Sequence, residues 1–195
     1  MAPPKSLVIG ISGASGSPYA KRLIDILQAD PRLGVDISIV VSSTAQEVWE
    51  HEVGGQIEDL GLKVYGGRDY TAPFASGSSV CDAMVIVPCS MSCVARIAYG
   101  ISDNLLTRAA DVVLKERRKL VLVPRETPYS SVHLENMLKL SQLGATVLPA
   151  SPSFYGKPDS IEAVLDTVVG RLLDHLGFDH KLVKRWGPDI NLEKP

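Results

Sequence analysis

The chain has 195 residues, 45% of them hydrophobic and 22% charged, with a net charge of −2. That length suits one domain able to bury about 70% of its unfolded surface, and the composition carries no disorder signature. The charge balance excludes bulk attraction to nucleic acid or anionic membrane, and no apolar run approaches the ~20 residues that span a bilayer.

The start, MAPPKSLVIGISG, runs straight into a glycine loop and is not expected to be a signal peptide. Ser6 to Ile11 is a short apolar run that reads as a buried strand. A helix is predicted from about Pro18 to Gln28, with Ser17 as N-cap and Pro18 as its first residue. Val35 to Val41 reads as a second strand, with Ser43 or Thr44 capping a helix to about His51. Residues 54–79 are polar and Gly-rich and hold one short strand candidate, Leu62 to Tyr65. Ala83 to Val87 is the next strand; one helix starts just after Pro88 and another covers about Asn104 to Glu116. Lys119 to Val123 reads as a strand, Ser131 to Leu143 as a helix and Ala145 to Leu148 as a strand. The last helix carries one apolar stripe, Ile161, Val164, Leu165, Val168, Val169, Leu172 and Leu176, and the tail after Gly177 is irregular. Repeated βα units without a linker imply an α/β fold of three layers, helices on both faces of a mostly parallel sheet. Residues 1–195 read as a single domain with a C-terminal tail from about 177.

In open α/β sheets, ligands sit beyond the carboxyl ends of the strands. Those ends are Ser12 to Gly16, Ser42 to Thr44, Cys89 to Cys93, Arg125-Glu126 and Pro149 to Tyr155, and they hold nearly all the unusual residues. In Gly10-Ile-Ser-Gly-Ala-Ser-Gly16 the glycines let the backbone approach a phosphate or ring, and the helix start favours an anion. The spacing is GxxGxxG, and the second strand ends on Ser42, Ser43 and Thr44 with no acid for a ribose. A mononucleotide therefore fits better than NAD. Pro88-Cys-Ser-Met-Ser-Cys93 repeats the device: Ser90 and Ser92 either bind a phosphate or simply cap a helix.

Arg108 to Pro128 sets nine charged residues around the apolar run Leu120 to Val123. Arg108, Asp111 and Lys115 fall on one helix face, either as a self-satisfied ladder or with Lys115 and Arg125 reaching a second phosphate. Glu126 is a candidate general acid or base, with an ion pair to Arg125 as the alternative. Tyr155 stands in a loop where it either closes over a ligand or packs, and Arg171 edges the last apolar stripe. The three cysteines, Cys81, Cys89 and Cys93, lack CxxC spacing; they read as buried thiols in a reducing, cytoplasmic compartment, with no metal site.

GISGASG at 10–16, APFASGSS at 72–79, DNLLTRAADVVLKERR at 103–118, LVPRETP at 122–128, HLENMLKL at 133–140 and FYGKP at 154–158 together resemble the UbiX-type flavin prenyltransferases. The resemblance runs from about Ser6 to Trp186. It implies a Rossmann-like or flavodoxin-like subunit of a homo-oligomer, a dodecamer, with sites at subunit interfaces. The activity implied is transfer of a dimethylallyl group from dimethylallyl phosphate to N5 and C6 of reduced FMN. The product, prenylated FMN, would serve a UbiD-type decarboxylase. Carried over by residue, Gly13, Ala14, Ser15, Ser42, Ser90, Met91, Ser92, Cys93 and Arg125 would contact FMN. Lys115, Glu126, Tyr155 and Arg171 match the prenyl-phosphate end, with Arg125 alongside, and Trp186 matches a C-terminal aromatic near the site. Ser15, Glu126 and Lys115 are the expected catalytic set: Ser15 positions near N5 and Glu126 handles a proton. Two departures stand out, Cys93 where the family often has Thr, and Tyr70 where some relatives carry Trp. The alternatives are an FMN-dependent decarboxylase of the cysteine-decarboxylase type, for which no PASANT-like segment is present, and a non-catalytic flavin carrier.

Overall fold

The computed structural model describes residues 2–187; residues 188–195, the end of the predicted tail, lie outside the described residues. Its strands are β1 (Ser6–Ile11), β2 (Asp36–Val41), β3 (Lys63–Tyr65), β4 (Ala83–Cys89), β5 (Lys119–Pro124) and β6 (Thr146–Val147), joined in the order 3-2-1-4-5-6. Every described strand pair is parallel. The order is that of the dinucleotide-binding Rossmann sheet and not the flavodoxin order.

Parallel strands must be covered on both faces, so they read as continuous apolar runs. Leu7, Ile9 and Ile11 point to one face, under α1 (Ser17–Ala29), α2 (Ala45–Glu52) and α6 (Ile161–Leu176). Val8 joins Met84 and Ile86 on the other face, under α3 (Met91–Ala98), α4 (Leu105–Lys115) and α5 (Ser131–Gln142). β1 pairs with β2 on one side and β4 on the other. The chain reverses direction of winding there, which opens a crevice at the strands' carboxyl ends.

Three local expectations change. β4 runs through Pro88 to Cys89, and α3 begins only at Met91, capped by Ser90, whose side chain accepts from the Cys93 amide. Ser17 lies inside α1; the residue before the helix is Gly16, at a φ of 123° open to glycine, and no local side chain caps it. Ile161 is 81% exposed and leaves the predicted stripe. The reason is polar: the first turns of α6 meet α1 through Arg22, which bonds Asp166 at 2.7 and 2.9 Å and pairs with Glu162 at 2.8 Å. Apolar burial begins at Val168.

Candidate active site

One hydroxyl stitches the crevice together. Ser12 is buried; its Oγ donates to the Pro88 carbonyl and accepts from the Ser90 amide, both at 2.8 Å. The loops after β1, β2 and β4 then wall a cleft of about 500 Å³. Of the predicted residues, Gly13, Ser42, Ser90, Ser92 and Cys93 line it. Thr44, at the predicted strand end, lines it too, as do Arg68, Arg96, Asn104 and Thr107, which the sequence did not mark for the site.

Gly13 is a glycine because of what it touches: a Cβ there would stand 1.9 Å from Thr44 Oγ1. Ser90 takes the capping role and also stands at the cleft. It caps α3, accepting from the Cys93 amide at 3.3 Å, and its hydroxyl lies 3.1 Å from that of Ser92 at the cleft wall. Ala14 is buried, and Met91 turns its side chain into the core under the cleft. Cys89 is buried as well; a hydrogen bond to Cys93, which favours the protonated thiol, and then burial push its pKa well up. Ser42 Oγ is buried at the cleft with no hydrogen-bond partner. Such a group costs about 1–3 kcal/mol until something pairs with it.

The start of α1, expected to hold a ligand anion, is filled from within. Glu52, the last residue of α2, accepts the Gly16 amide at 2.9 Å and the Ser17 amide at 2.8 Å. Burial raises its pKa, but hydrogen bonds from the Ser15 side chain and from these amides outweigh that and hold the carboxyl below its ordinary value. From the opposite side, Arg125 Nε donates to the Ser15 carbonyl at 2.8 Å. Glu52 and Arg125 thus grip the loop whose exposed tip is Ser15. The separation of 36 residues between Glu52 and Gly16 left no spacing signal for this contact.

The expected second-phosphate cluster does not assemble within one chain. Arg125 and Glu126 do not pair; Glu126 Oε1 accepts the amide of its neighbour Thr127 at 2.9 Å. Lys115 closes α4 and pairs with Glu116 at 2.5 Å. α4 starts beside the cleft at Asn104 and runs antiparallel to the strands, so at ~1.5 Å per residue Lys115 lies roughly 15 Å down the helix. Helical spacing put Arg108, Asp111 and Lys115 on one face but also spread them along the axis. Arg108 pairs with Asp111 at 3.3 Å and donates to the Ala75 carbonyl at 3.1 Å, while Arg118 donates to the Gly77 carbonyl at 2.8 Å. The APFASGSS segment is thereby strapped against Lys115: a Cβ on Gly77 would stand 2.6 Å from its Nζ.

Tyr155, Arg171 and Trp186 do converge. They line a second cavity of about 660 Å³ between α6, the loop before it and the tail after it. The Tyr155 and Trp186 rings meet edge to face with centroids 5.0 Å apart, and Lys157 and Lys184 add positive charge to the rim. This cavity shares no lining residue with the cleft.

A family model described as Flavoprotein matches residues 1–173. The flavin prenyltransferase UbiX of Methanocaldococcus jannaschii is 46% identical over 93% of this chain and 98% of its own length. AnUbiX (PadA1), solved in complex with FMN and dimethylallyl pyrophosphate, matches with a TM-score of 0.89 and 39% identity, covering 94% of this chain and 98% of that one. A dodecameric FMN-dependent UbiX-like decarboxylase from Escherichia coli O157:H7 matches with a TM-score of 0.89 and 41% identity, covering 93% and 98%.

Proposed function

The chain belongs to the Flavoprotein family and, within it, to the UbiX-type flavin prenyltransferases, and from that premise we propose that it joins the dimethylallyl group of dimethylallyl phosphate to N5 and C6 of reduced FMN. The observation that carries this is one chain with two cavities of different chemistry. One is walled by hydroxyls at the sheet's switch point, and the other by cations and aromatic rings.

The cleft suits FMN. Ser42 Oγ is buried and unpaired, the hydroxyls of Ser90 and Ser92 face the same space, and the start of α3 favours a phosphate. Reduced FMN supplies two nucleophilic atoms: N5 bonds to the first carbon of the five-carbon donor as that carbon's bond to oxygen breaks, releasing inorganic phosphate and the N5 proton. Arg171 and the Tyr155 hydroxyl offset the charge that develops on the departing phosphate. The rings of Tyr155 and Trp186 give a cationic allyl fragment a π face. Arg125 and Glu52 hold Ser15 at the loop tip. Closing the second bond breaks the prenyl double bond: its inner carbon gains a proton as flavin C6 loses one, so a group that moves protons is needed but none is released overall. Of the two carboxylates, Glu52 rather than Glu126 is tied to the Ser15 loop.

The two cavities need a second copy to meet. In a homo-oligomer, a dodecamer like that of the E. coli relative, Lys115 and its strapped loop would complete a neighbour's site. Exposed Val132, Leu134 and Leu138 on α5 provide apolar surface for such assembly. The product would pass to a UbiD-type decarboxylase in the cytoplasm. Anaerobic incubation with reduced FMN and dimethylallyl phosphate tests the reaction. Inorganic phosphate should appear in step with donor loss and only when reduced flavin is present; no release would overturn it.

A further inference from the structure

α6 carries a glycine in its interior, Gly170, where alanine would favour the helix by about 1 kcal/mol. Its surroundings explain the exception. A Cβ there would come within 3.0 Å of His180 Cε1 and 3.3 Å of Val183 Cγ2. The tail after Gly177 therefore lies down on α6 at this notch. One turn further along the same face, Asp174 fastens it. Its carboxylate accepts Arg185 Nη1 at 2.8 Å and Nη2 at 2.7 Å, a two-pronged bond. His180 Nε2 lies 3.0 Å from Oδ1, and Arg171 Nη1 donates to Oδ2 at 3.1 Å. Charge-assisted, two-pronged bonds of this kind are the strongest available to side chains.

Arg185 is followed directly by Trp186, which meets Tyr155. The same carboxylate thus orients a cation on one wall of the cavity and delivers the aromatic ring of the other. We infer that Asp174 is a positioning residue for the phosphate end of the prenyl donor, holding Arg171 in place and clamping the tail so that Trp186 closes against Tyr155. Arg171 uses one guanidinium donor on Asp174 and keeps the others for a phosphate. Arg171, on the cavity wall, presents its guanidinium to the donor's phosphate.

The inference rests on the proposal that this cavity takes the prenyl donor. Asp174→Asn keeps the shape and removes the charge. Its kinetics with reduced FMN and dimethylallyl phosphate are compared with wild type, alongside acrylamide quenching of tryptophan emission. Trp49 is 1% exposed and stays silent, so quenching reports Trp186. The expected result is a KM for the donor raised roughly tenfold or more, a smaller change in kcat, FMN affinity within about twofold, and increased quenching. Gly170→Ala displaces the tail but leaves Arg171 on Asp174; it should raise quenching similarly and KM less. Unchanged quenching in Asp174→Asn overturns the clamp, and an unchanged KM overturns the positioning role. A wild-type chain that turns over no donor instead removes the proposed function, and the positioning role with it, even if quenching rises.

Discussion

Glu52 offers the sharpest test of how the site is held together, through Glu52→Gln and Glu52→Ala. In the structure its carboxylate accepts two backbone amides, at 2.9 and 2.8 Å, at the start of α1. Hydrogen bonds to a charged acceptor contribute about 1.5–3 kcal/mol against about 1 for a neutral one, and an anion at a helix start adds about 0.3–1. Glutamine keeps an acceptor but not the charge, so its cost should be about 1–2 kcal/mol; alanine, which leaves both amides to water, should cost about 2–3. At about 2–4 °C per kcal/mol for a chain of this size, the melting temperature should fall about 2–8 °C for glutamine and 4–12 °C for alanine. The sign with pH is fixed by the depressed folded pKa. The charge stabilises the fold above the unfolded value of about 4.3, and that contribution disappears as pH falls through the folded value. Thermal melts at neutral pH and again near the acid limit of folding should show wild type and Glu52→Gln converging in acid. A glutamine variant that melts with wild type at neutral pH, or a gap that does not narrow in acid, would refute the reasoning.

Other expectations follow from single contacts. Gly13→Ala should weaken FMN binding by roughly tenfold or more in a flavin-fluorescence titration, because Thr44 at the β2 end must move aside. Ser42→Ala should leave thermal stability unchanged or slightly raised, since the hydroxyl is buried and unpaired, yet should weaken FMN by about fivefold; a fall in stability with unchanged FMN affinity would contradict the assignment. Lys115→Ala and Ser15→Ala should each be nearly inactive alone but recover activity when co-expressed in mixed assemblies, if, as proposed, the site takes the two residues from different copies. Activity no greater than the sum of the separate variants would place both in one chain's site.

How much of this could be read beforehand depended on distance along the chain. SLVIGI and the glycine loop after it were legible because a strand buried on both faces is a continuous apolar run ended by a local turn. Ser90 was legible as a cap for the same local reason. The order of the strands was not, because neighbours such as β1 and β4 are more than seventy residues apart and nothing in either run names its partner. Lys115 shows a subtler limit: periodicity assigned its face correctly but is blind to position along the axis. Ile161 fits the apolar period of α6 yet is exposed, because Arg22 of another helix brings ions to that end. Glu52 and Asp174 carried no signal in the sequence. Their partners lie on a loop 36 residues earlier and on a tail that folds back, so only the assembled chain shows what they hold.

The most direct test of the central claim is the mass of the flavin itself. After anaerobic incubation of the protein with reduced FMN and dimethylallyl phosphate, or the diphosphate in a parallel sample, the extracted flavin should be heavier by one five-carbon prenyl unit with at least one donor. Flavin of unchanged mass with both donors would contradict it.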